Sequence, residues 1–224
     1  MLVAAYNVHG FRAGVKAVAA ALERFHPDLI LLQETGSRRA LRRFARAMRM
    51  EVAADPRAFL RRRAKDAVLV RTPLRIVEHH QHRFPTIDRF YPRGVLVARL
   101  DASGRRCWAV SAHLGLRRKE RTRHAREILR LLDAVEGPIL LGGDLNELPE
   151  GPAVQILGER LWDAWLLGGD VAGETFPSED PTARIDYLFV SEGVRVERAL
   201  VPSGPEIRRA SDHRPVVAEI DLPS

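Results

Sequence analysis

The chain has 224 residues, 46% of them hydrophobic, and a formal net charge of +7. That length and apolar share suffice for one domain with a sizeable core. No apolar run approaches the ~20 residues a membrane-spanning helix needs, and the single cysteine, Cys107, excludes an internal disulfide. The opening "MLVAAYNV" has neither a basic leader nor a cleavage site, so no secretory signal and a cytoplasmic location are expected. Only Lys16, Lys65 and Lys119 among the 36 basic residues are lysines, which leaves 33 arginines. Arginine's forked donors suit phosphate. The same bias also follows from a GC-rich genome, and net charge speaks to partners rather than to fold.

Residues 2–8, "LVAAYNV", read as a strand. "GVKAVAAALERF" (14–25) has apolar residues at helical spacing and is ended by His26-Pro27. "DLILLQE" (28–34) is a nearly continuous apolar strand, and "SRRALRRFARAMRM" (37–50) is a basic amphipathic helix with Ser37 as its N-cap. Strands are expected over 66–72, 93–101 and 106–114, the last with Cys107 as a small core residue. A helix over 118–135 precedes a core strand, "GPILLGGD" (137–144), and two closing strands are expected over 184–191 and 214–222. The stretches 55–65 and 79–92 read as loops or edge strands. "HHQHRF" (79–84) has no cysteine or paired carboxylate beside it, so solvated edge histidines are expected rather than a metal cluster. Trp162 and Trp165 in "LWDAW" read as core. With no linker, low-complexity segment or repeat, the alternation predicts a single α/β domain over 1–224, with helices packed on two sheets.

Polar residues collect where these apolar strands meet loops. Asn7 and His9 follow the first strand, Glu34 ends the second, and His113 ends "WAVSAH". Asp144 and Asn146 follow "ILLGG", Asp186 opens "DYLFV", and Asp212-His213 precede "RPVV". Each alone has an ordinary account as turn residue, surface carboxylate, core histidine or arginine partner. Together they form a rim of the kind where α/β folds gather function. Their chemistry is coherent. Glu34, Asp212 and the Asn7 amide are hard oxygen donors suited to Mg²⁺ or Mn²⁺, which polarise phosphoryl oxygens. A histidine paired with an aspartate supplies an acid–base unit, and Asn146 can donate to developing charge. Gly142-Gly143 are expected to let the backbone bend near the site. An extended backbone beyond them would point Asp144 and Asn146 to one face.

The pieces "YNVHG" (6–10), "DLILLQE" (28–34), "YPRG" (91–94), "SAHLG" (111–115), "GGDLNELP" (142–149), "TFPSEDPTARIDYLFVS" (175–191) and "SDHRPV" (211–216) span nearly the whole chain. In this order they resemble the endonuclease/exonuclease/phosphatase superfamily of metal-dependent phosphoesterases. The resemblance implies a four-layer α/β/β/α sandwich of the DNase I-like kind, with its active site at the sheet edges. It implies Glu34 as principal metal ligand, with Asn7 and Asp212 close to the metal. Asp144 would orient or deprotonate the attacking water, and Asn146 would hold the phosphoryl group. His213 would contact the scissile phosphate, with Asp186 fixing its tautomer and His113 touching the phosphate from the other side. Asp144 and His213 stand as rival bases. His9, where the DNA-repair branch often has an acidic residue, is expected to contact phosphate or substrate, as is Arg93.

Three functions compete. One is a Mg²⁺- or Mn²⁺-dependent phosphodiesterase acting on nucleic acid, motivated by the motifs and the basic helices 37–50 and 117–130. The second is the same chemistry on a small or lipid-derived phosphate ester, because the short loops offer little groove for a duplex. The third is a non-catalytic nucleic-acid-binding protein that keeps the fold, which the intact polar set argues against. The basic helices themselves are also explained as solvated faces.

Overall fold

In the computed structural model, which describes residues 1–55, 63–85, 91–102, 104–169 and 173–223, the first apolar run divides by alternation. Val3 and Ala5 face one apolar cluster, while Ala4 and Tyr6 face another. A run apolar on both faces marks a strand covered on both sides.

In chain order the elements are β1 (Leu2–Asn7), a 3-10 turn (His9–Phe11), α1 (Val15–Glu23), β2 (Leu29–Gln33), α2 (Arg38–Met48), β3 (Glu51–Ala54), β4 (Ala67–Val70), β5 (Leu74–Arg83) and β6 (Gly94–Ala102). There follow β7 (Arg105–His113), α3 (Arg118–Leu132), β8 (Ile139–Asp144), α4 (Pro152–Gly158), β9 (Leu161–Asp163), α5 (Ala164–Gly168), β10 (Asp186–Ser191), β11 (Arg195–Leu200), α6 (Pro205–Ala210) and β12 (Val216–Asp221). Two six-stranded mixed sheets form, in the orders β11-β12-β1-β2-β4-β3 and β5-β6-β7-β8-β10-β9. One cluster, with Val3, Leu31, Leu96, Leu140 and Leu188, fills the space between the sheets. A second joins the first sheet to α1, α2 and α6, and a third joins the second sheet to α3 and α4. The layers are therefore α/β/β/α, as expected. No helix among the described residues is long and apolar enough to cross a membrane.

Strand register sets the site. β1 and β2 run parallel, with Asn7 opposite Gln33. β7 and β8 also run parallel, with His113 opposite Asp144. The four carboxyl ends therefore deliver Asn7, Glu34, His113 and Asp144. Antiparallel neighbours bring their starts to the same edge: Asp186 opposite Asp144, Gly94 opposite His113 with Arg93 just before it, and Val216 opposite Ala5 with Asp212-His213 just before it. A buried staple ties the sheets beneath this edge. Gln33 Nε2 donates to Ser111 Oγ at 3.0 Å, and Ser111 Oγ donates to the Leu32 carbonyl at 2.8 Å.

Several expectations need correction. Gly142 and Gly143 lie inside β8 and make no bend. A Cβ on Gly142 would come within 2.7 Å of Ala5 Cβ and Leu31 Cδ1, and one on Gly143 within 2.3 Å of the Ala112 carbonyl oxygen. The two glycines permit close packing, not turning. The 79–92 stretch, expected as loop or edge strand, does hold the end of a ten-residue edge strand, β5, of the second sheet. His79 and His80 are exposed there, and His82 pairs with Glu127 at 2.7 Å. The predicted 55–65 segment falls mostly outside the described residues. Trp162 is 50% exposed, not core, because β9 turns Leu161 and Asp163 inward and Trp162 outward. Trp165 is partly buried against the inter-sheet core, and Cys107 is buried in it.

Candidate active site

The polar strand ends converge on a cleft of about 460 Å³ lined by Asn7, His9, Glu34, Arg93, His113, Asp144, Asn146, Asp212 and His213, among others. Nine of the ten residues singled out in the sequence thus share one cavity. Asp186 is the tenth and stands behind His213, contacting it without lining the cleft.

Asp144 is the hub. Its Oδ1 accepts the Asn146 backbone N–H at 3.0 Å, and its Oδ2 accepts the Asn7 Nδ2–H at 2.8 Å. His113 Nε2 lies 3.2 Å and His213 Nε2 3.8 Å from the same Oδ2. Burial alone would raise the Asp144 carboxyl, but His113, His213 and the Asn7 amide together hold it well below the usual carboxylate range. The tautomer of His113 follows from its other neighbour. Arg93 Nη1 stands 2.9 Å from His113 Nδ1. A guanidinium only donates, so Nδ1 accepts and Nε2 carries the proton given to Asp144.

The second imidazole is arranged differently. His213 Nδ1 stands 2.8 Å from Asp186 Oδ2, which also accepts the Thr175 hydroxyl at 2.6 Å. Nε2 is left facing Asp144 and the cleft. Burial pulls the His213 pKa down, but Asp186, Asp144 and Asp212 override it and push it up to about 10. His213 is therefore an imidazolium at neutral pH. Burial in turn pushes the Asp186 carboxyl upward, so the pair keeps its proton. The Phe176 ring packs on His213 at 4.8 Å and covers one face.

The mouth of the cleft is built on strained backbone. His9, Gly10 and Phe11 have φ of 43°, 67° and 57° in succession, and Glu34 has φ 53°. The two loops interlock. The Gly10 N–H donates to the Glu34 carbonyl at 2.8 Å, and a Cβ on Gly36 would strike the Gly10 carbonyl oxygen at 2.5 Å. Left-handed conformations at non-glycine residues cost of order 1–3 kcal/mol and gather at functional sites. The result is that Glu34 turns toward the cleft, 3.7 Å from Arg93 Nη1. His9 Nδ1 stands 3.2 Å from Asp212 Oδ1, and the His9 N–H binds Asn7 Oδ1 at 3.0 Å. Asn146, expected on an extended backbone, instead has φ 50°, which asparagine tolerates. Its side-chain amide donates to the Leu114 carbonyl at 3.2 Å.

Two donor sets are available to a cation. Glu34, Asp212 and Asn7 Oδ1 offer oxygens at the open mouth, which fits a hard divalent ion. Asp144, Asp186 and His213 place ligand atoms within 4.8 Å of one another, but all three are buried, and His213 Nδ1 and Asp186 Oδ2 already bind each other at 2.8 Å. Sequence reasoning missed Thr175 and Phe176, although both lie in the "TFP" segment, and it missed Arg12, Arg63, Lys65, Tyr91 and Leu116 on the cleft wall. Tyr91 opens the "YPRG" piece, while the other four lie outside the quoted pieces and are brought to the cleft by the fold.

The Endonuclease/Exonuclease/phosphatase family model matches residues 4–213. No curated protein matches the chain by sequence. Among solved structures, an endonuclease/exonuclease/phosphatase from Bacteroides vulgatus superposes with a TM-score of 0.85 at 18% identity, covering 99% of this chain and 98% of that one. A mannosyl-6-phosphatase from Bacteroides thetaiotaomicron gives 0.82 at 21% identity, covering 99% and 100%. D. rerio TDP2 complexed with a single-strand DNA product gives 0.80 at 18% identity, covering 99% of each chain. The match over nearly the full length shows that the chain belongs to the endonuclease/exonuclease/phosphatase family.

Proposed function

We propose that this protein is a divalent-metal-dependent hydrolase of phosphate esters, acting on phosphodiesters. One observation carries the proposal: a buried carboxylate, Asp144, is held ionised by two imidazoles and two amide groups at the floor of a cleft whose mouth presents Glu34 and Asp212. A non-catalytic binding protein has no use for such a network, which gathers buried charge at a cost in desolvation.

Glu34, Asp212 and Asn7 Oδ1 would hold Mg²⁺ or Mn²⁺. The bound ion would supply charge stabilisation to a phosphoryl oxygen and its leaving group. The chain's own residues do the rest. Asp144 orients the attacking water and accepts its proton. His213 stays protonated on Asp186 and turns Nε2–H toward the phosphoryl oxygens, which assigns it an electrostatic or acid role and leaves Asp144 as the base. His113, fixed by Arg93, holds Asp144 in place. His9 and Arg93 face the ester from either side, and Asn146 closes the floor.

The relatives support both a nucleic-acid and a small-ester substrate, since one is named as a mannosyl-6-phosphatase and another is complexed with single-strand DNA. The basic helices do not decide between them. α2 packs on the first sheet and α3 on the second, on opposite outer layers, so they form no continuous basic surface. The cleft's volume, about 460 Å³, accommodates a mononucleotide-sized group, which favours a single strand or a small ester over a duplex. The test is hydrolysis of bis(p-nitrophenyl) phosphate by the pure protein with Mg²⁺ or Mn²⁺ and with EDTA. Metal-dependent turnover is expected; none with any divalent cation, on this or on single-strand DNA, RNA and sugar phosphates, would contradict the proposal.

A further inference from the structure

A second cavity, of about 270 Å³, opens beside the cleft and is lined by His9, Arg12, Ala13, Arg208, Arg209, Ala210, Ser211 and Asp212. His9, Arg12 and Asp212 wall both cavities. Three arginines from two separate elements thus line one hollow on the Asp212 side of the site, with Asp212 in the same wall. Arg12 follows the strained turn after β1, and Arg208 and Arg209 end α6.

Their counter-charges are few. Arg12 and Arg209 have no ion-pair partner among the described residues. Arg208 reaches Glu179 only at 3.9 Å, between two exposed side chains, a pairing worth little. Glu206, the acidic residue of α6, is already engaged by Arg24 at 2.7 Å. Basic residues in a helix's last turn ordinarily complement its dipole, but that account covers Arg208 and Arg209 and not Arg12. Like charges gathered in a concave wall repel one another and are relieved by an anion between them. Guanidinium forks match phosphate in particular.

We propose that this hollow is an anion subsite for a second phosphate group of the substrate, next to the ester being cleaved. The assignment rests on the phosphoesterase reading of the cleft and names its substrate class: an ester carrying a further phosphate on the Asp212 side. That group is either the neighbouring phosphate of a polynucleotide or the second phosphate of a small bisphosphorylated ester.

Equilibrium binding in EDTA, followed by calorimetry, tests this without requiring turnover. The ligand pairs are thymidylyl-thymidine with and without a terminal phosphate, and fructose bisphosphate against fructose monophosphate. The extra phosphate should tighten binding of at least one pair about tenfold or more, as charge-assisted contacts do. In Arg208→Gln/Arg209→Gln the gain should shrink to about twofold or less. In Arg42→Gln/Arg46→Gln, which removes equal charge from the exposed face of α2, it should persist. A gain confined to the dinucleotide identifies a polynucleotide, and one confined to the sugar identifies a small bisphosphorylated ester. No gain with either pair, or a gain that survives Arg208→Gln/Arg209→Gln, overturns the subsite. Because no catalysis is measured, failure of hydrolysis would bear on the phosphoesterase reading alone.

Discussion

Glu34 and Asp212, from loops of the first sheet, keep 32% and 42% of their side chains exposed, whereas Asp144 and Asp186, from the second sheet, keep 2% and 1%. The first pair sits in loops with sparse side-chain partners, Glu34 on strained backbone. The second sits on regular strands, with Asn7, His113 and Asn146 around Asp144 and with His213 and Thr175 both on Asp186 Oδ2. Under the proposed function, the difference teaches how one rim would serve two tasks. An ion that keeps waters and substrate oxygens needs open carboxylates with spare lone pairs. Acid–base groups need fixed geometry and shifted affinity for protons, which burial and hydrogen bonds provide. Asn7 and His213 cross between the sheets and join the two halves.

The contrast can be broken at four points. Glu34→Gln should abolish metal-dependent hydrolysis while the melting temperature moves by no more than about 2 °C, as for a surface change; activity assays with Mg²⁺ and thermal unfolding read both. Asp144→Ala should lose about a thousandfold in kcat and also destabilise the fold, because it strips the acceptor from three buried donors. Losing one partner of a buried network costs about 3–5 kcal/mol, so a fall of roughly 6–15 °C is expected. Equal melting of the Glu34 and Asp144 variants would dissolve the distinction.

The proton affinities supply the third test. In the proposed mechanism His213, raised to about 10, acts as the imidazolium, so kcat/KM should hold from neutrality and fall as pH rises toward about 10. Asp186→Asn removes a carboxylate that raises it. The alkaline limb should then move to lower pH, with a kcat loss of about a hundredfold or more. An unmoved limb would detach His213 from that profile. The smallest effect belongs to the strained mouth: Glu34→Gly should stabilise the fold by about 1 kcal/mol, since glycine takes φ 53° without strain. Chemical denaturation would register it.

Much of this was legible in sequence where one signal dominated. Continuous apolar runs marked β1, β2, β4, β8 and β10, because both faces of those strands are buried. Ser37 capped α2 as expected, its Oγ accepting the Ala40 N–H at 3.1 Å. The edges were less readable. β5 carries "EHHQHR" with neither face consistently apolar, so no alternation announced it. β9 is three residues long, and its outward Trp162 resembled core by residue type alone. Gly142-Gly143 read as a turn by composition, but the approach of the opposing sheet to Gly142 and of the neighbouring strand β7 to Gly143 determines their role. At the site, strand-end positions picked out nine side chains that line one cleft. Their partnerships stayed hidden, because Asn7 and Asp144 are 137 residues apart in sequence and Arg93 and His113 are joined only by β6–β7 register.

The central claim is the division of labour between the open mouth and the buried floor, and calorimetric titration with Mn²⁺ tests it most directly. Wild type should bind the ion, Glu34→Gln should lose at least about tenfold in affinity, and Asp186→Asn should bind within about threefold of wild type. Retained affinity in Glu34→Gln together with loss in Asp186→Asn would place the ion in the Asp144–Asp186–His213 group and contradict the account.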